Sequence, residues 1–248
     1  MIANLMWSDF MKLRRSYGIY YFLFSLVVGL GLFFYLHIDY SLNNGYDLTQ
    51  SWGIAFDSYY SYLLKLFVLF SITFIASMFI NMDHHSNMWK LIFTTPINRW
   101  KYYVTRIIWV VILAQVLGLL SFTTIYLIGA YYDVHADISA TFIFHYIWYP
   151  FLLAIPVIAL QVILSMLFSN QSIALLIGIS GIYLSAIFVE WGKVIPWGYW
   201  QGYLPPQPTI EMLHNSKLSY FAPTGWGILS LMLVIVLGIV ALNRKDFN

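Results

Sequence analysis

The sequence lacks cysteine and has very little charge. With no cysteine in the chain, disulfides, thiolate nucleophiles and cysteine metal sites are all excluded. Only 9% of the 248 residues are charged, whereas 61% are hydrophobic and the mean hydropathy is +0.76. This charge is far too little to cover the surface of a soluble protein of the same size. The composition therefore predicts an integral membrane protein.

Sequence motifs for catalysis are missing as well. The chain has neither a GxxxxGK[ST] phosphate loop nor a GxSxG nucleophile elbow, so we expect no ATPase or serine hydrolase within it. An intramembrane enzyme of an unrecognised class stays open as an alternative. Two clusters, Asp83-His84-His85 and Asp133-His135-Asp137, lack both the spacing and the number of ligands of a closed metal site. We interpret them as solvated polar residues and predict no metal.

Long apolar runs make up most of what is present. Runs of about 20 residues favour membrane-spanning helices, because barrel strands would alternate polar and apolar residues over about ten. The predicted fold is all-α, a polytopic membrane protein with six transmembrane helices. The expected spans are approximately Ile19 to Leu36, Tyr60 to Ile80, Ile107 to Tyr131, Phe142 to Phe168, Ser172 to Val189 and Thr224 to Leu242. Pro150 and Pro156 predict kinks in the fourth span.

Two segments outside the spans have patterns of their own. In residues 1–17, apolar side chains recur at helical spacing, which predicts an amphipathic helix lying in the membrane interface: Ile2, Leu5, Met6, Phe10 and Leu13. Residues 190–223 are rich in Trp, Tyr and Pro, which favours re-entrant or interfacial pieces before the sixth helix. An ordinary aromatic belt at the headgroup level explains the same residues.

The positive charges set the expected orientation. Most of the Lys and Arg residues fall on the side of the two termini: Lys12, Arg14, Arg15, Lys90, Arg99, Lys101, Arg106, Arg244 and Lys245. The opposite side has Lys193 and Lys217. Because positive charge stays on the cytoplasmic side, we expect both termini in the cytoplasm and a multi-pass protein of the cytoplasmic membrane.

Residues 83–106 form the longest polar break with clustered positive charge. Ser86 can cap a short helix whose apolar residues recur at spacings of three and four: Met88, Trp89, Leu91 and Ile92. Pro96 ends that helix and can start a second one that carries Arg99, Lys101 and Arg106. The segment is either an elbow that presents Trp89 and Lys90 to a partner protein or an ordinary loop between spans.

Three polar side chains fall inside the predicted spans. Lys65, Gln115 and Gln161 are candidates for a substrate path. Lys65 lies near the outer end of its span and can instead extend toward the headgroups. The two amides can instead bond neighbouring helices. The pairs Ala174/Gly178 and Gly181/Ser185 have the small-xxx-small spacing that allows close helix contact, within a bundle or a dimer.

This arrangement resembles a permease subunit of the ABC-2 type, over nearly the whole chain. The most specific part is MDHHSNMWKLIFTTPINRWKYYVTR, with an acid at Asp83, the Trp-Lys-Leu of a short helix, then Pro96, then Arg99. The tail NRKDF resembles the family's closing pattern. Asp83 stands where the family has glutamate. Within the family, the chain is most similar to permeases of lantibiotic immunity and peptide export.

The resemblance implies a half-transporter without catalytic activity or a cofactor of its own. Residues 1–248 would be one permease domain, paired with an identical or related permease chain and two copies of a separate ATPase that binds ATP and Mg²⁺. Coupling to the ATPase would fall to Asp83, Met88, Trp89, Lys90, Leu91, Pro96 and Arg99. The expected activity is ATP-driven export of an amphipathic peptide or lipid-like substrate, with membrane lipid but no nucleic acid as a further partner. A membrane sensor or assembly module that transports nothing is the alternative.

Overall fold

The computed structural model of the protein describes most of the chain. The described residues are 2–85, 99–133, 138–187, 197, 204, 207–208 and 225–244. All the regular secondary structure in these ranges is helical. The prediction of an all-α protein is therefore confirmed.

Ten α-helices are described. In chain order they are α1 Ile2–Arg14, α2 Tyr17–Asn43, α3 Leu48–Ser58, α4 Leu64–His85, α5 Arg99–Tyr131, α6 Ala140–Ile147, α7 Tyr149–Leu153, α8 Ile155–Leu167, α9 Gln171–Ile187 and α10 Gly225–Arg244. A π-helical turn, Tyr59–Leu63, joins α3 to α4, so the chain is helical from Leu48 to His85 without a break.

The described helices support a multi-pass membrane protein. Three stretches are long and apolar enough to cross a membrane: Tyr17–Asn43, Leu48–His84 and Arg99–Tyr131. A fourth span results if Ala140–Leu153 and Ile155–Leu167, which meet at a bend of 42°, are taken together. The shorter apolar helices Gln171–Leu184 and Leu231–Leu242 lie where the fifth and sixth spans are predicted. The count of six stays a prediction.

Proline explains the broken fourth span. Pro150 lies in the first turn of α7 and Pro156 in the first turn of α8. Proline has no backbone N–H to donate and its ring clashes with the preceding turn, so a helix ends before it and a new one begins. The predicted kinks are confirmed.

Two expectations about helix ends are wrong. The first span was predicted to end near Leu36 and the second to begin near Tyr60, but α2 runs to Asn43 and α3 covers Leu48–Ser58. The reason is packing, because α3 buries Trp52 and Phe56 against the ring of Phe34 in α2. Likewise, the predicted second helix of the elbow and the third span are one helix, α5.

The helix α4 lies at the centre of the bundle. In its most apolar stretch 67% of the residues are buried, against 28% for α2 and 39% for α5. It packs against α2, α5, α8 and α9, while α5 also packs against α1, α2 and α10. The last turn of α4 and the first turns of α5 therefore lie at the same end of the bundle as α1.

Four residues of 190–223 are described, and they contact the bundle. A Cβ on Gly181 of α9 would lie 2.5 Å from the ring of Trp197, so this ring packs directly on the helix backbone. Leu204 is buried, and Gln207 Nε2 donates a hydrogen bond to Asp57 Oδ1 of α3 over 2.7 Å. The rest of this segment lies outside the described residues, so the re-entrant arrangement stays a prediction.

Candidate functional site

A buried group of charged side chains lies where α1, the end of α4 and the start of α5 meet. We call it the ion cluster; its members are Asp9, Lys12, Asp83, Tyr102 and Arg106. Each of the three helices supplies at least one charge. The cluster therefore joins the two helices that flank residues 86–98 to each other and to the N-terminal helix.

Arg106 is the centre of the ion cluster. Its guanidinium pairs with Asp9 through Nη1, and its Nε lies 2.8 Å from Asp83 Oδ2. The Lys12 Nζ is 2.8 Å from Asp83 Oδ1 and 3.7 Å from Asp9 Oδ1. Tyr102 closes the arrangement, because its hydroxyl donates to Asp83 Oδ2 over 2.5 Å and accepts from Arg106 Nη2 over 2.8 Å.

The cluster balances its own charge. Asp9, Asp83 and Arg106 are each 2% exposed and together carry one negative charge, which Lys12, 23% exposed, neutralises. The guanidinium carbon of Arg106 lies 4.2 Å from the ring centroid of Tyr102 and 5.3 Å from that of Phe79, within cation–π range. Burial raises the pKa of Asp9, and the neighbouring Arg106 opposes that rise. Buried ions persist only when paired in this way.

The residues that flank 86–98 also contact α8 and α10. On the α4 side, His84 Nε2 is 3.0 Å from the carbonyl oxygen of Ser165 in α8. On the α5 side, Arg99 Nη1 donates to the carbonyl of Leu242, near the end of α10, over 2.7 Å. A cation that binds the last carbonyls of a helix satisfies groups that have no partner within the helix. The two flanks thus contact different helices, α8 and α10.

Tyr103 strengthens the contact among α5, α8 and α10. Its hydroxyl donates to the carbonyl of Ala159 in α8 over 2.8 Å. On α10, a Cβ on Gly238 would lie 2.7 Å from the Tyr103 ring, so only glycine lets the two helices approach this closely. The start of α5 is therefore held on several sides.

Of the predicted coupling residues, the structure describes Asp83 and Arg99. Met88, Trp89, Lys90, Leu91 and Pro96 lie outside the described residues, as does Ser86. The prediction that Asp83 and His84 are solvated polar residues is wrong, because Asp83 is buried in the ion cluster and His84 contacts α8. Arg106, which the sequence analysis places on the predicted cytoplasmic side, is buried, and two carboxylates compensate its charge.

The candidates for a substrate path lie in separate helix contacts. Gln115 Nε2 donates to the carbonyl of Phe151 over 3.2 Å, and Gln161 Nε2 donates to that of Ala174 over 3.0 Å. Lys65 is partly buried in the first turn of α4. Both amides thus have the interhelical bonds expected in the packing interpretation, and their role toward a substrate stays a prediction.

Asp83 is the one member of the ion cluster that the sequence analysis predicts as a site residue, and it misses Asp9, Lys12, Tyr102 and Arg106. Asp9 and Lys12 fall off the apolar stripe of α1. In the structure Asp9 is buried together with Leu13, whereas Phe10 is 42% exposed. The signal available in the sequence was an acid and a base three residues apart in a chain with few charges, since ionisable residues in apolar surroundings pair with one another.

Within the described ranges, no group of three His, Cys, Asp or Glu side chains is placed to hold a metal ion. Asp133 is exposed, with a backbone φ of 57°, while His135 and Asp137 lie outside those ranges.

Comparison with known families decides the identity of the chain. The profile described as ABC-2 family transporter protein matches residues 5–186, which run from α1 to α9. The chain belongs to this ABC-2 family. The match includes every member of the ion cluster, and the resemblance to an ABC-2 type permease is confirmed. No curated protein and no solved structure matches the chain.

Membership in the ABC-2 family gives the general role of the chain. It is a transporter permease that spans the membrane several times, in a family whose permeases normally work with an ATPase partner. Permeases of this kind are transport components and generally not enzymes.

Proposed function

We propose that the chain is one half of an ABC exporter that moves an amphipathic peptide or a lipid-like molecule out of the cell. Two permease chains, identical or related, would act with two copies of a separate ATPase, which binds ATP and Mg²⁺. The observation that carries this proposal is the ion cluster, because it joins both flanks of residues 86–98 to α1.

Residues 86–98 are the proposed docking segment for the ATPase. A push on this segment acts on Asp83 at one flank, and Asp83 is paired with Arg106 beyond the other flank. Since charge-assisted contacts in a buried site are strong and directional, α1, α4 and α5 would move together. The contacts of His84 with α8 and of Arg99 with α10 would pass the motion across the bundle.

The proposed orientation has both termini and residues 86–98 in the cytoplasm. This orientation is supported by the distribution of Lys and Arg, because most of them fall on the same side of the predicted spans as the two termini and residues 86–98. In this orientation the ion cluster lies at the cytoplasmic end of the bundle, where an ATPase would bind. The membrane would be the cytoplasmic membrane.

The proposed substrate class is an amphipathic peptide such as a lantibiotic, with the chain serving in immunity or peptide export. Its support is the resemblance of the segment around Trp89 to permeases of such systems. The export direction follows from the same resemblance.

A pull-down of the ATPase tests the docking segment. A buried aromatic anchor contributes about 2–4 kcal/mol to an interface when it is a hot spot, whereas a lysine at the rim contributes little. Trp89→Ala should therefore lower ATPase recovery by at least about tenfold, since 1.4 kcal/mol corresponds to a factor of ten. Lys90→Ala, the matched control at the neighbouring position of the predicted short helix, should recover nearly the wild-type amount.

Both variants are compared at equal membrane levels, with peptide transport measured in parallel. Trp89→Ala should abolish transport, and the wild-type permease purified alone should hydrolyse no ATP. Equal ATPase recovery and unimpaired transport in all three proteins would refute the docking role. ATP hydrolysis by the permease alone would refute the proposal that a separate ATPase subunit hydrolyses ATP for this transporter.

A further inference from the structure

A row of polar side chains whose oxygen atoms have no hydrogen-bond partner is buried where α4 packs against α8 and α9. We call it the polar seam; it consists of Thr73 and Ser77 on α4 and Gln161 and Ser165 on α8, next to Gly178 on α9. These four polar side chains are at most 4% exposed, and none of them is ionisable. The seam is therefore fully enclosed in this structure.

Gly178 shows that two of the side chains converge. A Cβ on Gly178 would lie 2.6 Å from Thr73 Cγ2 and 2.7 Å from Gln161 Oε1, so both side chains lie against this glycine. Ser77 and Ser165 are each four residues further along, on the same faces of α4 and α8. Since His84 of α4 contacts the carbonyl of Ser165, the seam extends toward the end of the bundle that holds the ion cluster.

The absence of partners distinguishes these groups from several other helical hydroxyls among the described residues. Thr73 Oγ1, Ser77 Oγ, Gln161 Oε1 and Ser165 Oγ have no hydrogen-bond partner. Five helical hydroxyls elsewhere donate to the carbonyl four residues earlier: Ser51, Ser71, Thr105, Thr123 and Thr124. A buried polar group without a partner costs free energy, so a row of them requires an explanation.

We propose that the polar seam is a closed binding strip for the uncharged hydrogen-bonding groups of the transported substrate, namely the main-chain amides of an amphipathic peptide. The strip opens when α4 moves away from α8. This inference rests on the proposed function. It explains the unpaired groups, because the open state supplies their partners.

The chemistry of the strip fits amides better than ions. The Gln161 Oε1 accepts a hydrogen bond, and the three hydroxyls both donate and accept, as peptide N–H and C=O groups require. In the closed form, Gln161 Nε2 donates to the carbonyl of Ala174 and so joins α8 to α9, whereas the contact of His84 with the carbonyl of Ser165 joins α4 to α8. His84 would couple the docking segment to the strip, because it lies next to residues 86–98 and contacts α8. A displacement of residues 86–98 would therefore change the contact between α4 and α8.

The lack of cysteine makes thiol labelling a direct test, since each introduced cysteine is the only one in the chain. Ser77→Cys and Ser165→Cys are placed in the strip. Ser71→Cys is the matched control on α4, because Ser71 is equally buried and bonds the carbonyl of Phe67. Ser121→Cys is a second control, since Ser121 is buried without a partner but lies on α5.

The complex of permease and ATPase is labelled with a water-soluble methanethiosulfonate reagent under two conditions. In the first no nucleotide is present, and in the second ATP is bound to a hydrolysis-deficient variant of the ATPase. An open state is usually a minor population of a few per cent, so trapping it should raise the labelling rates at 77 and 165 by about tenfold or more. The two controls should not change. Saturating nisin, the peptide probe, should slow the labelling at both strip positions.

The proposal is overturned if the cysteines at positions 77 and 165 react no faster than Ser71→Cys in either nucleotide state. Strip cysteines whose labelling is unaffected by nisin would overturn it as well, because they would show a water-filled gap and no peptide binding. Failure of the wild-type permease to recover an ATPase is a separate result, which refutes the proposed function. In that case labelling of the permease alone still decides whether the strip opens beyond the Ser71→Cys control.

Discussion

Replacing Arg106 by methionine should destabilise the protein more than any other single change in the ion cluster. Arg106 pairs with both Asp9 and Asp83, and all three side chains are 2% exposed. Removing its guanidinium leaves two buried carboxylates with Lys12 as the remaining cation of the cluster. Breaking a buried ion pair in this way costs about 3–5 kcal/mol, because the partner charge stays buried without compensation.

Two matched variants separate charge from geometry. Lys12 is 23% exposed and water partly screens its charge, so Lys12→Met should cost only about 1 kcal/mol. Arg106→Lys keeps the charge but loses the planar fork that reaches two carboxylates and the Tyr102 hydroxyl at once. Its stability should therefore fall between those of the wild type and Arg106→Met.

The measurement is thermal unfolding of the purified permease in detergent. For a chain of this length each kcal/mol shifts the Tm by roughly 2–4 °C, so Arg106→Met should lower it by roughly 6–20 °C. Adding Asp9→Asn to Arg106→Met removes one of the stranded charges and should restore part of the loss, since directly paired residues are coupled by about 0.5–3 kcal/mol. A Tm loss for Arg106→Met no larger than that for Lys12→Met would refute the reasoning. So would the absence of any recovery in the double variant.

Two further predictions concern helix packing and topology. Gly118→Ala should destabilise the protein by about 1–3 kcal/mol, because the new Cβ would lie 2.6 Å from Trp148 Cδ1 and 2.9 Å from Phe151 Cδ2. Gly29→Ala, which meets nothing within 4 Å, should be neutral or slightly stabilising in the same unfolding assay. Single cysteines at positions 90 and 245 should react with an impermeant thiol reagent only from the cytoplasm, and one at position 135 only from outside. Labelling of position 135 from the inside would contradict the six-span arrangement.

The sequence by itself determined the fold class and the positions of most helices. Backbone groups in lipid need hydrogen-bond partners within the protein, and a continuous helix supplies them. Long apolar runs in the sequence therefore predict the membrane-spanning helices directly. The kinks at Pro150 and Pro156 were equally readable, because the missing N–H of proline acts locally. The family could be recognised from the resemblance carried by one polar break, which contains Asp83, Trp89, Pro96 and Arg99.

Helix ends were less readable, because packing with distant residues decides them. The first span was predicted to end near Leu36 and the second to begin near Tyr60, yet the burial of Trp52 and Phe56 against Phe34 extends the helices through most of the residues between them. The same holds for the start of the third span, because the predicted second helix of the elbow, which carries Arg99 and Arg106, continues into that span as α5.

The partners of buried polar groups were decided only by the tertiary structure. Asp9 and Arg106 are 97 residues apart in the chain, and no local pattern indicates that they pair; α1 must first dock against α5. The unpaired groups of the polar seam are likewise invisible in the sequence, where Ser77 or Ser165 looks like any helical serine that bonds its own backbone. Whether a polar side chain in an apolar helix is paired, unpaired or solvated depends on the neighbouring helix, and only the packed bundle specifies that neighbour.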